Sequence, residues 1–517
     1  MKKRWLLRIA AALGIYLLLL LLLTAVESRN AQAGIQSFQD AVWYSLVTLT
    51  TVGYGDLVPV SPAGRIIGLI FVLCSLGALA AILGTVSDML LRRAFPALRL
   101  SLLRKKRCYL FSQLNECSLT LAKDLLRKEP KSRGIFCGMQ GPRSSRETAL
   151  PRRAVCSPLA ADEILRQMEG ADVTVFLVGE NAMKNLAVAR ELRLPPGRIF
   201  CLGTETDSET GIHFFDASSC IARAYWQAYP LGSAESVVLL AGSGRLARKI
   251  LNQAVLVNCR VPFYRTSYHL FGDWANYLRD HPALNTVFSM DREDPDRDAL
   301  FVHRNAWNAD PALLEKADRI LFCEDDPSVN AADTLRLIRY FPVRGAIHAA
   351  APAVPAPGVA FGLPGQVYTG EIVLHRMPDR YAEMLHEQYC RMTGSETAWD
   401  SLPVFLKNSG RASADHLLTK LRLLLPEKDV KEVTPAVCRE AAARWNGIDV
   451  HENFRMNEHA RWTRFYTLYN WRWGPEKDEV RRTHPCLVPY PELPPDEREK
   501  DDNAWRIIGL LGEMEEN

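Results

Sequence analysis

The run from Leu6 to Val26 is almost wholly apolar and rich in leucine. Its length of about 21 residues, at 1.5 Å per residue, gives roughly 31 Å of helix, the thickness of a bilayer's hydrocarbon core. The charge inside it, Arg8, lies near the start, where a long side chain can reach the interface. A second apolar run, Ile66 to Leu91, is flanked by Arg65 and by Arg92 and Arg93, with Asp88 near its far end. A cleaved signal peptide is the rival reading of the first run, because Lys2, Lys3 and Arg4 form a basic start and Ala31-Gln32-Ala33 resembles a cleavage site. A signal's apolar part usually holds about 7 to 15 residues, so a retained helix is the reading adopted. Lys2, Lys3, Arg4 and Arg8 head the first run, and Arg92, Arg93, Arg104, Lys105, Lys106 and Arg107 follow the second. The positive-inside bias then predicts a multi-pass protein of the inner (plasma) membrane with both termini cytoplasmic.

Between the runs, Phe38 to Thr50 is semi-apolar and helix-compatible, with Ser37 placed to cap its start. Too short to cross, it reads as a re-entrant helix, tolerated at membrane depth only where protein or water surrounds its non-helical end. It leads directly into Thr51-Val52-Gly53-Tyr54-Gly55-Asp56. From Leu6 to about Leu91 the chain resembles the potassium-channel family in its two-span arrangement, and Thr50 to Asp56 matches the filter signature. A dehydrated potassium ion must recover its lost hydration from rings of oxygen atoms. The resemblance implies that four copies bring together carbonyls of Thr51, Val52, Gly53 and Tyr54 with the Thr51 hydroxyl, so a homotetramer in a lipid bilayer with potassium ions in the filter is expected. Gly53 and Gly55 permit the required backbone geometry. Tyr54 would brace the filter, and Thr50 and Asp56 would support it. The plainer alternative is a glycine-rich turn that contains a tyrosine. Gly77 and Gly84 in the second run read either as a gating hinge or as sites of close helix packing. Asp88 reads as a concentrator of cations or as a solvated carboxylate.

At 517 residues the chain has room for roughly three or four folded units. Lys and Arg number 63 against 59 Asp and Glu, a formal charge of +4 that gives no reason to expect nucleic acid as a partner. The 12 cysteines lack regular spacing, and several lie in strand-like runs such as Ile135-Phe136-Cys137 and Leu321-Phe322-Cys323, as reduced thiols do. The pair Cys108 and Cys117 matches no common metal spacing, so no metal is expected beyond potassium in the filter. Strands predicted at Cys108 to Ser112, Gly134 to Cys137 and Val173 to Val178 alternate with helices at Leu119 to Leu126 and Asn185 to Leu192, the rhythm of a doubly wound parallel sheet. A second copy starts at Ser236 to Leu240, turns at Gly242-Ser243-Gly244, continues as a helix over Leu246 to Leu251 and has a later strand at Arg319 to Cys323.

These units resemble the paired domains that regulate conductance of potassium channels (RCK or TrkA-N type) over about Arg107 to Ala350. The resemblance rests on Ala241-Gly242-Ser243-Gly244-Arg245, on Glu324-Asp325-Asp326-Pro327 followed by Asn330, and on Gly179-Glu180-Asn181 followed by Asn185-Leu186. The first unit has Ser112-Gln113-Leu114-Asn115-Glu116-Cys117 where a dinucleotide fingerprint wants glycines. The second keeps Gly242 and Gly244, has Ala247 at the third position and shows no acidic residue near Tyr264 to Ser267, the expected end of its next strand. Gly242 and Gly244 are therefore nucleotide-binding candidates, with a glycine turn that only packs helix on strand as the favoured alternative. Glu324, Asp325 and Asp326 read as a solvated loop rather than a divalent-ion site.

Ala349 to Pro364, rich in Ala, Pro and Gly, reads as a linker, followed by helices predicted over Tyr381 to Met392 and His416 to Leu425. Asp400 or Ser401 is placed to cap the helix that follows them. Asn457 to Trp462, Trp471 to Pro475 and His484 to Tyr490, then Glu492-Leu493 and Glu497 to Lys500, resemble the repeat named after the ryanodine receptor (RyR) over about Glu452 to Leu511. That resemblance makes Trp462, Trp471, Trp473 and Tyr490 candidate stacking surfaces for a nucleotide, and Arg461, Arg472, Arg481 and Arg482 candidate phosphate partners. The alternative is core tryptophans and solvated arginines, with His459 and His484 structural.

The fold class expected is multidomain: an all-α two-span pore (1–95), a basic linker (96–107), two Rossmann-like α/β domains (108–232 and 233–350), a linker (351–366), a helical region (367–450) and a mainly α RyR-type domain (451–517). The function expected is a potassium channel gated by a small-molecule ligand on its cytoplasmic domains, with no enzymatic activity. Such a ligand would act by pulling on the segment from Arg92 to Arg107. The rivals are a non-conducting, membrane-anchored nucleotide sensor and a membrane-tethered nucleotide-processing enzyme.

Overall fold

The computed structural model describes residues 2–89, 95–138, 150–206, 211–290, 294 and 296–513, with side chains omitted over 2–13, at parts of 75–99 and at 392–393. Leu91, Arg92 and Arg93 lie outside the described residues, as do the side chains of Lys2, Lys3, Arg4, Arg8 and Asp88. The chain divides into two compact units, Met1–Leu102 and Leu103–Asn517.

In the first unit, α1 (Lys2–Glu27) and α3 (Pro62–Met89) enclose the shorter α2 (Phe38–Leu49). Taken over the described residues, no helix is long and apolar enough to cross a membrane. The start of α2 is set by a reciprocal cap, in which Ser37 Oγ accepts from the Asp40 amide at 3.2 Å and Asp40 accepts from the Ser37 amide at 2.8 Å. Glu27, at the end of α1, accepts the amides of Val60 and Ser61 at 3.0 and 3.1 Å and so ties α1 to the start of α3. The three helices close over a small core of Leu20, Leu23, Ile35, Ala41 and Phe71, while Ile15, Leu18, Leu22, Ile66, Leu69 and Leu73 stay exposed. The close-packing glycines of α3 are Gly64, where a Cβ would collide with the Glu27 carboxylate, and Gly68, where it would stand 2.7 Å from the Tyr44 hydroxyl. A Cβ at Gly77 or Gly84 would meet nothing within 4 Å.

The second unit contains two six-stranded sheets. Strands β1 (Cys108–Phe111), β2 (Arg133–Phe136), β3 (Ala154–Cys156), β4 (Val173–Leu177), β5 (Ile199–Leu202) and β6 (Ile212–Phe215) lie in the order β3-β2-β1-β4-β5-β6. Strands β7 (Val237–Ala241), β8 (Ser267–Phe271), β9 (Ala299–His303), β10 (Arg319–Phe322), β11 (Ala346–Ala349) and β12 (Val359–Ala360) lie in the order β12-β11-β10-β7-β8-β9. All pairings are parallel. Both sheets thus share one doubly wound topology, whose crevice opens where the chain order reverses beside the first strand. The strands are near-continuous apolar runs because helices cover both faces.

The expected linker departs from the sequence reading, because its Val359–Ala360 pairs in parallel with β11 as the sixth strand and Phe361 is buried. Beyond it come the helices Arg380–Thr393, Val404–Asp415, Leu417–Leu424, Pro435–Asn446, Glu452–Leu468 and Asn503–Gly512. Neither Asp400 nor Ser401 caps the helix that starts at Val404: Pro403 occupies the cap, and Asp400 instead accepts from Arg376 at 2.6 Å. Phe465, Tyr466, Leu468 and Trp471 join Trp226, Ile250 and Ala254 in one core, so the C-terminal helices are packed onto the second Rossmann-like unit.

A buried ionic network crosses the same contact. Arg223 donates to Asp415 at 2.8 and 2.9 Å and to Asp379 at 2.6 Å, and Arg411 holds the other side of Asp379 at 2.7 Å. Glu205, from the first Rossmann-like unit, receives Arg411 at 2.8 Å and Lys407 at 3.1 Å. Despite its burial, Asp379 is held well below the usual carboxylate range by the two guanidinium groups.

Candidate functional site

Two places carry the geometry of function. In the first unit, φ is positive at Thr51, Gly53 and Gly55 (60, 61 and 74°) and not at Val52 or Tyr54 between them. An extended strand turns successive carbonyls to opposite sides, whereas alternating handedness turns them to one side. Glycine adopts this conformation freely, but at Thr51 it is strained. The amides of Val52 and Gly53 donate back to the Val47 carbonyl at 3.0 and 3.2 Å, and Thr50 Oγ1 donates to Leu46 at 2.6 Å, fixing the segment to the end of α2. Tyr54 stacks on Trp43 with ring centroids 6.2 Å apart, and Trp43 Nε1 donates to Asp56 at 2.8 Å. Thr51 through Asp56 are exposed in the single chain, so their outer faces have no partner within it. Trp43 was not singled out in the sequence; its place behind Tyr54 follows from α2 and is invisible to a motif.

In the second Rossmann-like unit, β7 is followed directly by Gly242, with φ +118°, where a Cβ would stand 2.7 Å from the Cys323 carbonyl. Only glycine lets the end of β7 pass so close to the end of β10. Gly244 then starts the helix Arg245–Val257. The expectation that the next strand ends without an acidic residue near Tyr264 to Ser267 is corrected: β8 begins at Ser267 and ends at Phe271, and Asp273 follows it. The preceding helix runs on to Val257 rather than ending at Leu251, which delays the strand. The Asp273 amide donates to Ser243 Oγ at 3.0 Å, so an acidic residue stands beside the glycine turn. In the first Rossmann-like unit the same crevice is filled. Asn115 donates to the Val178 carbonyl at 2.8 Å, and Ser112 Oγ accepts the Val178 amide at 3.2 Å.

The C-terminal candidates divide: Arg472, Trp473 and Arg482 meet on a short strand pairing, where the Arg472 amide donates to the Arg482 carbonyl at 2.9 Å, whereas Trp471 and Tyr490 are withdrawn into the core. Trp471 is buried against Phe405, with centroids 5.4 Å apart, and Tyr490 is buried with its hydroxyl 3.2 Å from Glu452. Neither offers a face for stacking, and the aromatic residue type alone could not tell core from surface. Trp462 is half-buried between Tyr466 and His484. Arg461 is buried and forked onto Glu458, which removes it from the phosphate candidates. Trp473, Arg472, Arg481 and Arg482 are exposed, with Arg482 donating to the Tyr469 carbonyl at 2.7 Å. His459 bonds the Val488 carbonyl at 2.9 Å, and His484 Nδ1 accepts the Cys486 amide at 3.1 Å. Among the described residues no group of three or more His, Cys, Asp or Glu is placed to hold a metal ion.

Residues 9–92 match the ion-channel family. Residues 443–512 match the RyR domain. Relatives of the ion-channel segment include a voltage-gated potassium channel of Aeropyrum pernix, 47% identical over 64 residues, and the calcium-gated potassium channel TvoK of Thermoplasma volcanium, 36% identical over 63 residues. Each match takes in 12% of this chain, and it spans 22% of the first relative and 18% of the second. Among solved structures, GsuK bound to ADP aligns at TM-score 0.34 and 15% identity over 72% of this chain and 99% of its own. GsuK bound to NAD aligns at TM-score 0.34 and 13% identity over 74% and 85%.

A second buried charge cluster joins the RyR segment to the helix Leu417–Leu424. Lys420, fully buried, pairs with Glu458 at 2.9 Å, and Glu458 also binds Arg461. Asp501 faces this cluster, and burial together with the Glu458 charge pushes its carboxyl up to about 8 from the usual 3.8. A carboxylate raised on folding keeps its proton while the unfolded chain loses it, so stability falls as pH rises from about 4 to about 8 and then levels. Asp501→Asn removes this dependence. Urea midpoints of the variant and the parent should coincide near pH 4 and separate progressively up to pH 8, the variant being the more stable; parallel curves would refute the assignment.

Proposed function

We propose that the chain is one subunit of a potassium-selective channel, in which four copies surround one axis and the apolar runs Leu6 to Val26 and Ile66 to Leu91, each only partly covered by the described side chains, cross the bilayer with both termini cytoplasmic. The alternation of handedness through Thr51, Gly53 and Gly55 supports this reading, since four such segments would present stacked rings of oxygen to a dehydrated cation. The carbonyls of Thr51, Val52, Gly53 and Tyr54 would bind the ion, and Trp43, Tyr54 and Asp56 would hold the segment at its radius. Gly77 and Gly84, with open space where a side chain would be, leave α3 free to bend there.

The cytoplasmic part acts as the ligand sensor, and its ligand is a nucleotide held at the turn Gly242-Ser243-Gly244 of the second Rossmann-like unit. Asp273 beside that turn supports the assignment, as a carboxylate there can accept the ribose hydroxyls. Occupancy would shift the pore through its preference for one arrangement of the cytoplasmic assembly. Purified protein in liposomes should pass potassium at least about tenfold faster than sodium, a preference of about 1.4 kcal/mol. Equal flux of the two ions would end the channel reading. Nucleotide-dependent flux that survives Asp273→Ala would end the assignment of the ligand site.

A further inference from the structure

The glycine turn of the second Rossmann-like unit is already faced by an anion belonging to the chain. Asp325 lies three residues past the end of β10, and its carboxylate rests against Gly244 so closely that a Cβ built there would collide with both oxygens. The cations that open the following helix are engaged elsewhere. Arg245 and Lys249 reach Asp216 at 3.1 and 3.5 Å, and Arg248 donates to the Ser243 carbonyl at 2.9 Å. Asp325 itself is exposed, so no packing demand holds it there.

The backbone amides at the start of the helix Arg245–Val257 favour negative charge, which suits the Asp325 carboxylate as it would suit a phosphate. A pyrophosphate must approach this same glycine backbone. Two anions cannot occupy the same few ångströms of this turn, and near a protein surface their repulsion at contact distance is still appreciable. We infer that Asp325 is a specificity-determining residue that occupies the phosphate position of the turn and keeps the site closed to a nucleotide diphosphate until the ligand displaces it. The inference rests on the turn being the nucleotide site. It deepens that reading by making the loop after β10, rather than the glycines, set the threshold for occupancy.

The test uses the full chain in detergent and a fluorescent adenosine diphosphate analogue read by anisotropy. Asp325→Asn keeps the side-chain shape and removes the charge, and Asp325→Ser removes charge and bulk. Both should bind the analogue at least about tenfold more tightly than the parent, a shift of about 1.4 kcal/mol, with unfolding midpoints unchanged because the residue is exposed. Asp273→Ala should weaken binding in every background. Equal or weaker binding by the Asp325 variants, with Asp273→Ala still effective, would overturn the role of Asp325 and leave the nucleotide site standing. Binding indifferent to Asp273→Ala, or absent from parent and variants at millimolar analogue, would overturn both.

Discussion

If the proposed filter is right, Gly53→Ala should abolish potassium-selective flux. Gly53 has φ +61°, a conformation in which an L side chain crowds the following carbonyl. The strain is about 1–2 kcal/mol per residue, and four copies around one axis would bring it to roughly 4–8 kcal/mol. Nothing within 4 Å obstructs a Cβ at Gly53, so the loss comes from the backbone and not from a clash. Relieving the strain by rotating the peptide would turn a carbonyl away from the proposed axis and break an oxygen ring. In liposomes the variant should lose its preference for potassium over sodium by at least about tenfold, or about 1.4 kcal/mol. Gly14→Ala is the control, because its Cβ enters open space on α1, a helix that prefers alanine to glycine. Selectivity retained in Gly53→Ala would show that these carbonyls do not line the path.

The features legible in the sequence are those written in local rules. The reciprocal cap at Ser37 and the glycines of the filter segment are short-range signals, and so are the apolar runs that became β1, β4, β7 and β10. Elements defined by their neighbours were less legible. Val359–Ala360 is a strand because β11 lies beside it, although proline and glycine around it read as linker. The helix expected over Leu246 to Leu251 continues to Val257, with Ala254 to Val257 in the core beside Trp226. Asp273 was therefore sought a strand's length too early. Trp471 and Trp473 stand two residues apart in one motif, and Trp471 is core because Phe405, distant in sequence, and Tyr466 pack against it. Asp325 was noted as part of an acidic loop, whereas its contact with Gly244 depends on β7 and β10 being neighbours.

Arg223 shows the same limit most sharply, because nothing in Ala222-Arg223-Ala224 marks it as a keystone. Arg223→Ala should destabilise the second unit by about 3–5 kcal/mol, the cost of stranding buried charge when one partner is removed. Its guanidinium is largely withdrawn from solvent and serves Asp379, Asp415 and the Pro378 carbonyl together. Asp379 keeps Arg411, but Asp415 is left with a single donor, Gln253, at 2.8 Å. A buried pair exchanged for apolar side chains of similar volume is often neutral. Arg223→Met combined with Asp415→Leu should therefore recover most of what Arg223→Ala loses. Urea unfolding of the parent, Arg223→Met, Asp415→Leu and the double variant measures the coupling directly. Strict additivity would show that Arg223 and Asp415 contribute independently. Strong coupling would establish that the C-terminal helices are fastened to the helix joining the two Rossmann-like units through this guanidinium, so that rearrangement of those helices must first move Arg223.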